Sequence, residues 1–236
     1  MTTTTAQAEH SPQHPALVHH FPDLARQKEA AALGMWVFIA QEIMFFGGLF
    51  LTYTIYRHLH YPAFAAGSHH LDLTLGAVNT AVLICSSLTM AMAVHSAALG
   101  HRKQIGAYLI ATIALGSVFL GIKTVEYLDK FEHHLVPGPH FSAEELKGKD
   151  GGPLGPEDAR HAEIFFSLYF AMTGLHATHM IIGIPIIAII ALMAQRGRFG
   201  PEYYTPVEMV GLYWHFVDIV WIFLFPLLYL IPGHHG

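Results

Sequence analysis

His215 and Asp218 stand three residues apart inside the last long apolar stretch of this chain, within the run Tyr213-Trp-His-Phe-Val-Asp218, and Trp214 and Trp221 flank them. Ionisable side chains at membrane depth are costly, so they face a partner helix or a polar cavity. His215 and Asp218 are within reach of each other on one helix face. Trp214, Asp218 and Trp221 form a stripe at i, i+4 and i+7. That pattern fits a protein-facing seam anchored by polar contacts better than a proton wire, which would need a polar path through several helices.

Four other places could carry chemistry. Gln41 and Glu42 lie about a third of the way into the first apolar stretch. Glu42 reads either as a proton-linked site or, preferably, as a structural hydrogen bond to a neighbouring helix; Gly47 and Gly48 just beyond it would permit close helix approach. His176 and His179 share one turn of the fourth stretch. Neutral imidazoles ligate haem and metals, but a bis-histidine haem needs ligands on facing helices, and a metal site needs further ligands. Hydrogen-bonded core histidines are therefore the preferred reading. Lys123 and Glu126 can pair at i, i+3, with Asp129 beyond them; an interfacial ion pair is favoured over a proton or ion entry site. Asn79, Ser86 and Ser87 lie near one face of the second stretch, as interhelical hydrogen-bonding residues should. Catalytic, cofactor and metal ligands are expected to be absent from this chain.

Cys85 is the only cysteine. That excludes an intrachain disulfide, a cysteine-based zinc site, a two-thiolate copper centre and covalent haem attachment through C-x-x-C-H. Most of the remaining histidines, His19, His20, His60, His133 and His134 among them, crowd the ends and connectors. They suit adventitious divalent metal binding better than a dedicated site in the acidic loop.

The elements that must position these residues follow from composition. Of 236 residues 53% are hydrophobic and 12% charged, against about 25% charged in soluble domains. Five stretches, at about 33–56, 74–99, 104–128, 163–194 and 207–231, reach the roughly 20 residues a membrane-crossing helix needs. Lipid cannot satisfy open backbone groups, so the predicted fold is all-α, a polytopic bundle of five transmembrane helices. The fourth stretch is overlong and must tilt or project, and Pro185 should break it. Residues 1–30 read as a polar N-terminal tail without a cleavable signal peptide, and 131–160 as an acidic external loop. The short loops carry Arg102, Lys103, Arg196 and Arg198, and Arg26 and Lys28 precede the first span. The positive-inside rule makes that side cytoplasmic, with the C-terminus outside. No internal repeat appears, which argues against an inverted-repeat transporter.

The motifs, taken in order, resemble subunit III of the haem–copper oxidases. Gly34 to Phe46 is similar to that family's G-x-W-x-F-I-x-x-E-x-x-F-F helix, and Leu75 to Thr80 resembles the following L-N-T segment. Glu126-Tyr127 resembles its E-Y pair, Tyr169 to Gly183 its Y-x-x-T-G-x-H-x-x-H-x-x-x-G helix with one residue more between Tyr169 and Thr173, and Tyr213 to Phe223 its Y-W-H-F-V-D-x-V-W-x-F ending. The likeness spans residues 30–232. The E-x-x-F-F of Glu42 to Phe46 is closer to the cytochrome c oxidase branch. The chain lacks the first two helices of seven-span members, so their lipid cleft is not carried over; quinol-oxidase subunits III also have five spans.

The resemblance implies a subunit of the bacterial inner membrane without haem or copper of its own, those centres lying in partner subunits. It implies bound phospholipid, packing against subunit I in a complex with subunit II and either a small subunit IV or a larger respiratory supercomplex, and support of proton uptake and turnover stability. Glu42 would match a buried carboxylate that is not essential for pumping. Two alternatives stand beside this: a subunit III-like component of a quinol oxidase or nitric oxide reductase, and a small histidine-rich haem or metal membrane protein.

Overall fold

A computed structural model describes residues 16–144, 146, 152 and 154–231. It contains six helices among the described residues: α1 (Leu24–Leu59), α2 (Tyr61–His69), α3 (Leu73–Ala98), α4 (Arg102–Glu132), α5 (Pro156–Gln195) and α6 (Thr205–Tyr229). All but α2 are long and apolar enough to cross a membrane, which gives the five expected spans.

Local sequence sets the helix ends. The Asp23 carboxylate accepts the Arg26 amide at 2.7 Å, so α1 begins at Leu24, inside the stretch read as a polar tail. The Asp72 carboxylate accepts the amides of Thr74 and Leu75 at 2.8 and 3.0 Å, filling orphan donors at the start of α3. α5 opens on Pro156 with Glu157 and Asp158 in its first turn, a residue suited to the first helical position followed by charges that complement the helix dipole. At 1.5 Å per residue its 40 residues extend about 60 Å, roughly twice the hydrocarbon thickness. Pro185 does not break it; the helix continues through, because neighbouring helices tolerate the lost backbone bond.

Helices α3, α4, α5 and α6 close a ring, each packing on the next. α1 lies outside that ring against α5 and α6, and among the described residues it does not pack on α3 or α4. Gly47 and Gly48 of α1 therefore meet no neighbouring helix: a Cβ at either would find nothing within 4 Å. The close approach expected there is absent because that face of α1 points out of the bundle. Gln41 is likewise exposed.

The short α2 was not expected, because Pro62 and Gly67 give 61–70 the look of a turn. It is buried instead. Gly67 lies under the Phe165 ring, where a Cβ would come within 2.4 Å, and the Ser68 hydroxyl donates to the Leu228 carbonyl at 2.8 Å. In the 131–160 connector, Leu135 and Leu146 are buried in the bundle's core; Lys147 and Lys149 lie outside the described residues.

Candidate functional site

Trp214 is where the four-helix ring meets. Its indole Nε1 on α6 donates to the Ser86 hydroxyl on α3 at 3.0 Å. The far edge of the ring lies against Gly116 of α4 and Gly183 of α5: a Cβ on Gly116 would sit 2.9 Å from Cη2, and one on Gly183 would sit 3.0 Å from Cζ3. Two turns along, Trp221 Nε1 donates to Thr80 on α3 at 3.1 Å. Both tryptophans are fully buried. The tryptophan stripe thus faces protein and is pinned to α3, as its spacing predicts.

A second knot lies toward the C-terminal ends of α4 and α6. Lys123 Nζ donates to Glu126 Oε2, Tyr169 Oη and Tyr229 Oη at 3.0, 3.1 and 3.0 Å, which uses all three of an ammonium's donors. Glu126 Oε1 accepts the Tyr169 hydroxyl at 2.7 Å and also that of Tyr229. The ammonium stands 5.0 to 5.7 Å from the ring centres of Tyr127, Tyr169, Trp221 and Tyr229, within cation–π range. Lys123 and Glu126 are 3% and 2% exposed. With every donor used and no opening to solvent, this is a structural ion pair joining α4, α5 and α6. Tyr229 was missed in the sequence because nothing in its spacing ties the end of α6 to Lys123, 106 residues earlier.

The α5 histidines part company. His176 is enclosed by Phe119 and Trp221, with ring centres 5.3 and 5.2 Å away, and neither nitrogen has a hydrogen-bond partner among the described residues. The hydrogen-bonded core histidine expected there is instead an imidazole packed among aromatic rings. His179 Nδ1 bonds the Leu175 carbonyl at 2.9 Å, and its Nε2 approaches Glu42 Oε2 at 3.4 Å. That contact reaches from α1 to α5 as Glu42 was expected to, but it is long, and Oε2 has no hydrogen bond proper; α1 is tied more firmly to α6, where the Tyr53 hydroxyl donates to the Leu227 carbonyl at 2.9 Å and Lys28 pairs with Glu208 at 2.8 Å. Among the described residues no three His, Cys, Asp or Glu side chains gather as a metal site would need.

His215 and Asp218 do not bond each other. His215 Nδ1 shares a hydrogen bond with Ser87 on α3 at 2.8 Å. Asp218 is 2% exposed; neither carboxyl oxygen makes a well-formed hydrogen bond among the described residues, and Ser87 is the side chain that bears on it. Asn79 is fully buried, and its amide is similarly unmatched. Ser86 and Ser87 therefore make the interhelical bonds expected of their face, whereas Asn79 does not.

The sequence model described as "Cytochrome c oxidase subunit III" matches residues 23–132 and 160–232. The chain belongs to that family. Cytochrome c oxidase subunit 3 of Corynebacterium diphtheriae is 31% identical over 219 residues, covering 89% of this chain and 96% of that one. Quinol oxidase subunit 3 of Bacillus subtilis is 29% identical, covering 84% and 86%. Cytochrome bo(3) ubiquinol oxidase subunit 3 of Pseudomonas aeruginosa is 30% identical, covering 84% and 83%. Several of the residues through which this chain resembles the subunit III family gather at three places in the fold. Trp214 lies at the centre of the ring, Glu126 in the ion-pair knot, and Glu42 with His179 at the seam where α1 joins. His176, Asn79 and Asp218 are buried apart from these, and His215 is half-buried against Ser87 of α3. The residues that complete the contacts, Ser86, Thr80, Gly116 and Gly183, carry no chemistry in isolation; only their placement opposite Trp214 and Trp221 gives them a role.

Proposed function

We propose that this chain is the non-catalytic subunit III of a proton-pumping haem–copper terminal oxidase of the cytochrome c branch. On this reading it sits in the cytoplasmic membrane of a bacterium, N-terminus inside, packed against subunit I and in one complex with subunit II. The observation that carries the reading is that, in a chain matching the family across all five spans, the strongest buried polar groups join helix to helix. The tryptophan stripe and the Lys123–Glu126 knot are spent on cohesion. His176 and His179 share one helix, and His176 is walled in by aromatic rings. These residues do not fit a haem or copper centre, so the redox centres are assigned to partner subunits.

A groove of about 510 Å³ runs between α1 and α6, lined by Trp36, Ile39, Ile43, Phe46, Phe50 and Phe223 among others. Its apolar walls suit acyl chains, and phospholipid is the ligand proposed for it. The role proposed for the subunit is to sustain proton uptake and protect the catalytic subunit during turnover. The test is oxidase prepared with and without this chain. Initial oxygen consumption should be nearly equal, while the preparation lacking the chain should inactivate after far fewer turnovers. Immediate loss of all activity would refute the non-catalytic role.

A quinol oxidase is the second reading, because relatives bearing that name are about as similar. The Glu42-to-Phe46 pattern supports the cytochrome c branch. A co-purifying subunit II that lacks a two-cysteine copper motif would reverse that choice.

A further inference from the structure

Gln41 is exposed at membrane depth, and its amide makes no hydrogen bond among the described residues. The hydroxyls exposed on the spans behave differently. Those of Thr52, Thr54, Ser117, Thr124 and Thr178 each donate to the carbonyl four residues back, at 2.7 to 2.9 Å, and are fitted to face lipid. Gln41 is not. It stands seven residues past Gly34, about 10 Å along the helix, where hydrocarbon offers an amide neither donor nor acceptor.

The residue belongs to a repeat. Gly34, Gln41, Gly48 and Ile55 recur every seven residues, and Val37, Met44 and Leu51 follow the first three of them by three. That is the a and d spacing of paired helices. All seven are exposed, Val37, Met44 and Leu51 at 61%, 73% and 62%. At about 100° per residue this face lies opposite the buried Ile39, Glu42, Phe46 and Tyr53, and it is separate from the groove shared with α6. From Gly34 to Ile55 it runs about 32 Å, the thickness of the hydrocarbon. A Cβ on Gly34 or Gly48 would find nothing within 4 Å, so another helix backbone can come close there. Of the five spans α1 is the least covered, with 11% of its apolar stretch buried against 28% to 44% in the others.

We infer that the Gly34–Gln41–Gly48–Ile55 face of α1 is a self-association surface, which pairs with the same face of a second copy of this chain. Two copies in one membrane share one orientation, so the twofold axis between them lies along the membrane normal. Helix α1 then meets itself in parallel and in register, each residue opposite its own copy at its own depth. Glutamine suits that arrangement, because its amide carries both donors and an acceptor. Two Gln41 side chains satisfy each other, and the glycines one heptad to either side give the room. A helix of any other sequence would have to bring a polar group to this one depth. The pairing goes beyond the oxidase-subunit reading and stands without it.

Single cysteines are placed in turn at positions from Val37 to Ile55, with Gln41 kept, in the full-length chain carrying Cys85→Ala and produced with the whole oxidase. Cys85 is the only native cysteine, so a disulfide-linked dimer formed by oxidation in native membranes reports two copies meeting at the introduced position. Dimer yield should peak at Val37, Met44, Gly48, Leu51 and Ile55 and fall to background at Ile43, Gly47 and Thr54, which are also exposed but lie on another side of the helix. Equal yield at all exposed positions, or none at the heptad positions, would overturn the pairing. A photo-crosslinking residue at Met44 should capture a second copy; capture of another subunit, or of lipid alone, would overturn it as well. Gln41→Leu should lower the disulfide yield at Gly48 about tenfold, the order expected for a side-chain bond between helices in lipid, while Gln41→Asn keeps most of it. An unchanged yield in Gln41→Leu would overturn the role given to the amide.

Discussion

Replacing Gly183 with alanine tests whether Trp214 is the point on which the helix ring closes. The added Cβ would lie 3.0 Å from Trp214 Cζ3 and 3.0 Å from Tyr213 Cε1. That is about half an ångström inside the ~3.5 Å at which carbon–carbon attraction is best. The indole cannot retreat, because its Cη2 and Cζ2 already lie against Gly116 and its Nε1 is held by Ser86 at 3.0 Å. In lipid no hydrophobic transfer drives one helix onto another, so packing of this kind decides association. Overpacking of a filled core costs about 1–3 kcal/mol, and the same range is expected for Gly183→Ala. The effect should depend on the indole. In a Trp214→Phe background the shorter ring frees the space, and Gly183→Ala should cost at least about 1 kcal/mol less, a coupling within the range of neighbouring residues. Reversible unfolding of the purified chain in mild detergent micelles, titrated with SDS, gives the four free energies of the cycle. Additivity within about 0.5 kcal/mol would refute the claim that Trp214 and Gly183 fill one another's space.

Two further perturbations bear on the other polar groups. Glu126→Leu strands the Lys123 ammonium in the core and should cost about 3–5 kcal/mol, whereas Glu126→Leu with Lys123→Met should recover most of that loss; a double variant no more stable than the single one in the same SDS titration would show that the knot is not held by charge pairing. Glu42→Gln keeps the shape of the side chain beside His179, and should leave haem content and initial oxidase turnover nearly unchanged; an immediate loss of turnover would make Glu42 catalytic.

What could be read in the chain beforehand was whatever repeats at short range. The five spans follow from apolar length, and the inward stripe of Trp214 and Trp221 follows from helical spacing. The Lys123–Glu126 pair follows from i, i+3 proximity, and its geometry bears this out. Features that depend on which helix stands opposite were not legible. The pairing of Gly116 and Gly183 with one indole is of this kind, as is the reach of Tyr229 back to Lys123. So too is the emptiness beside Gly47 and Gly48. Helix α2 was hidden by its proline and glycine, which mark turns in most settings and here serve a tight helix start and a close contact with Phe165. Proximity on a helix also misled: His215 and Asp218 are in register to meet, yet both turn to Ser87 on α3.

The reading of this chain as an oxidase subunit without a redox centre of its own has a direct test. Purification in mild detergent through a tag on this chain, with partners identified by mass spectrometry, metals by elemental analysis and haem by optical spectra, tests it most directly. Oxidase subunits, haem and copper should co-purify, and the chain split from them by stronger detergent should retain no Soret band. A separated chain with a Soret band that disappears in His176→Ala or His179→Ala would contradict it.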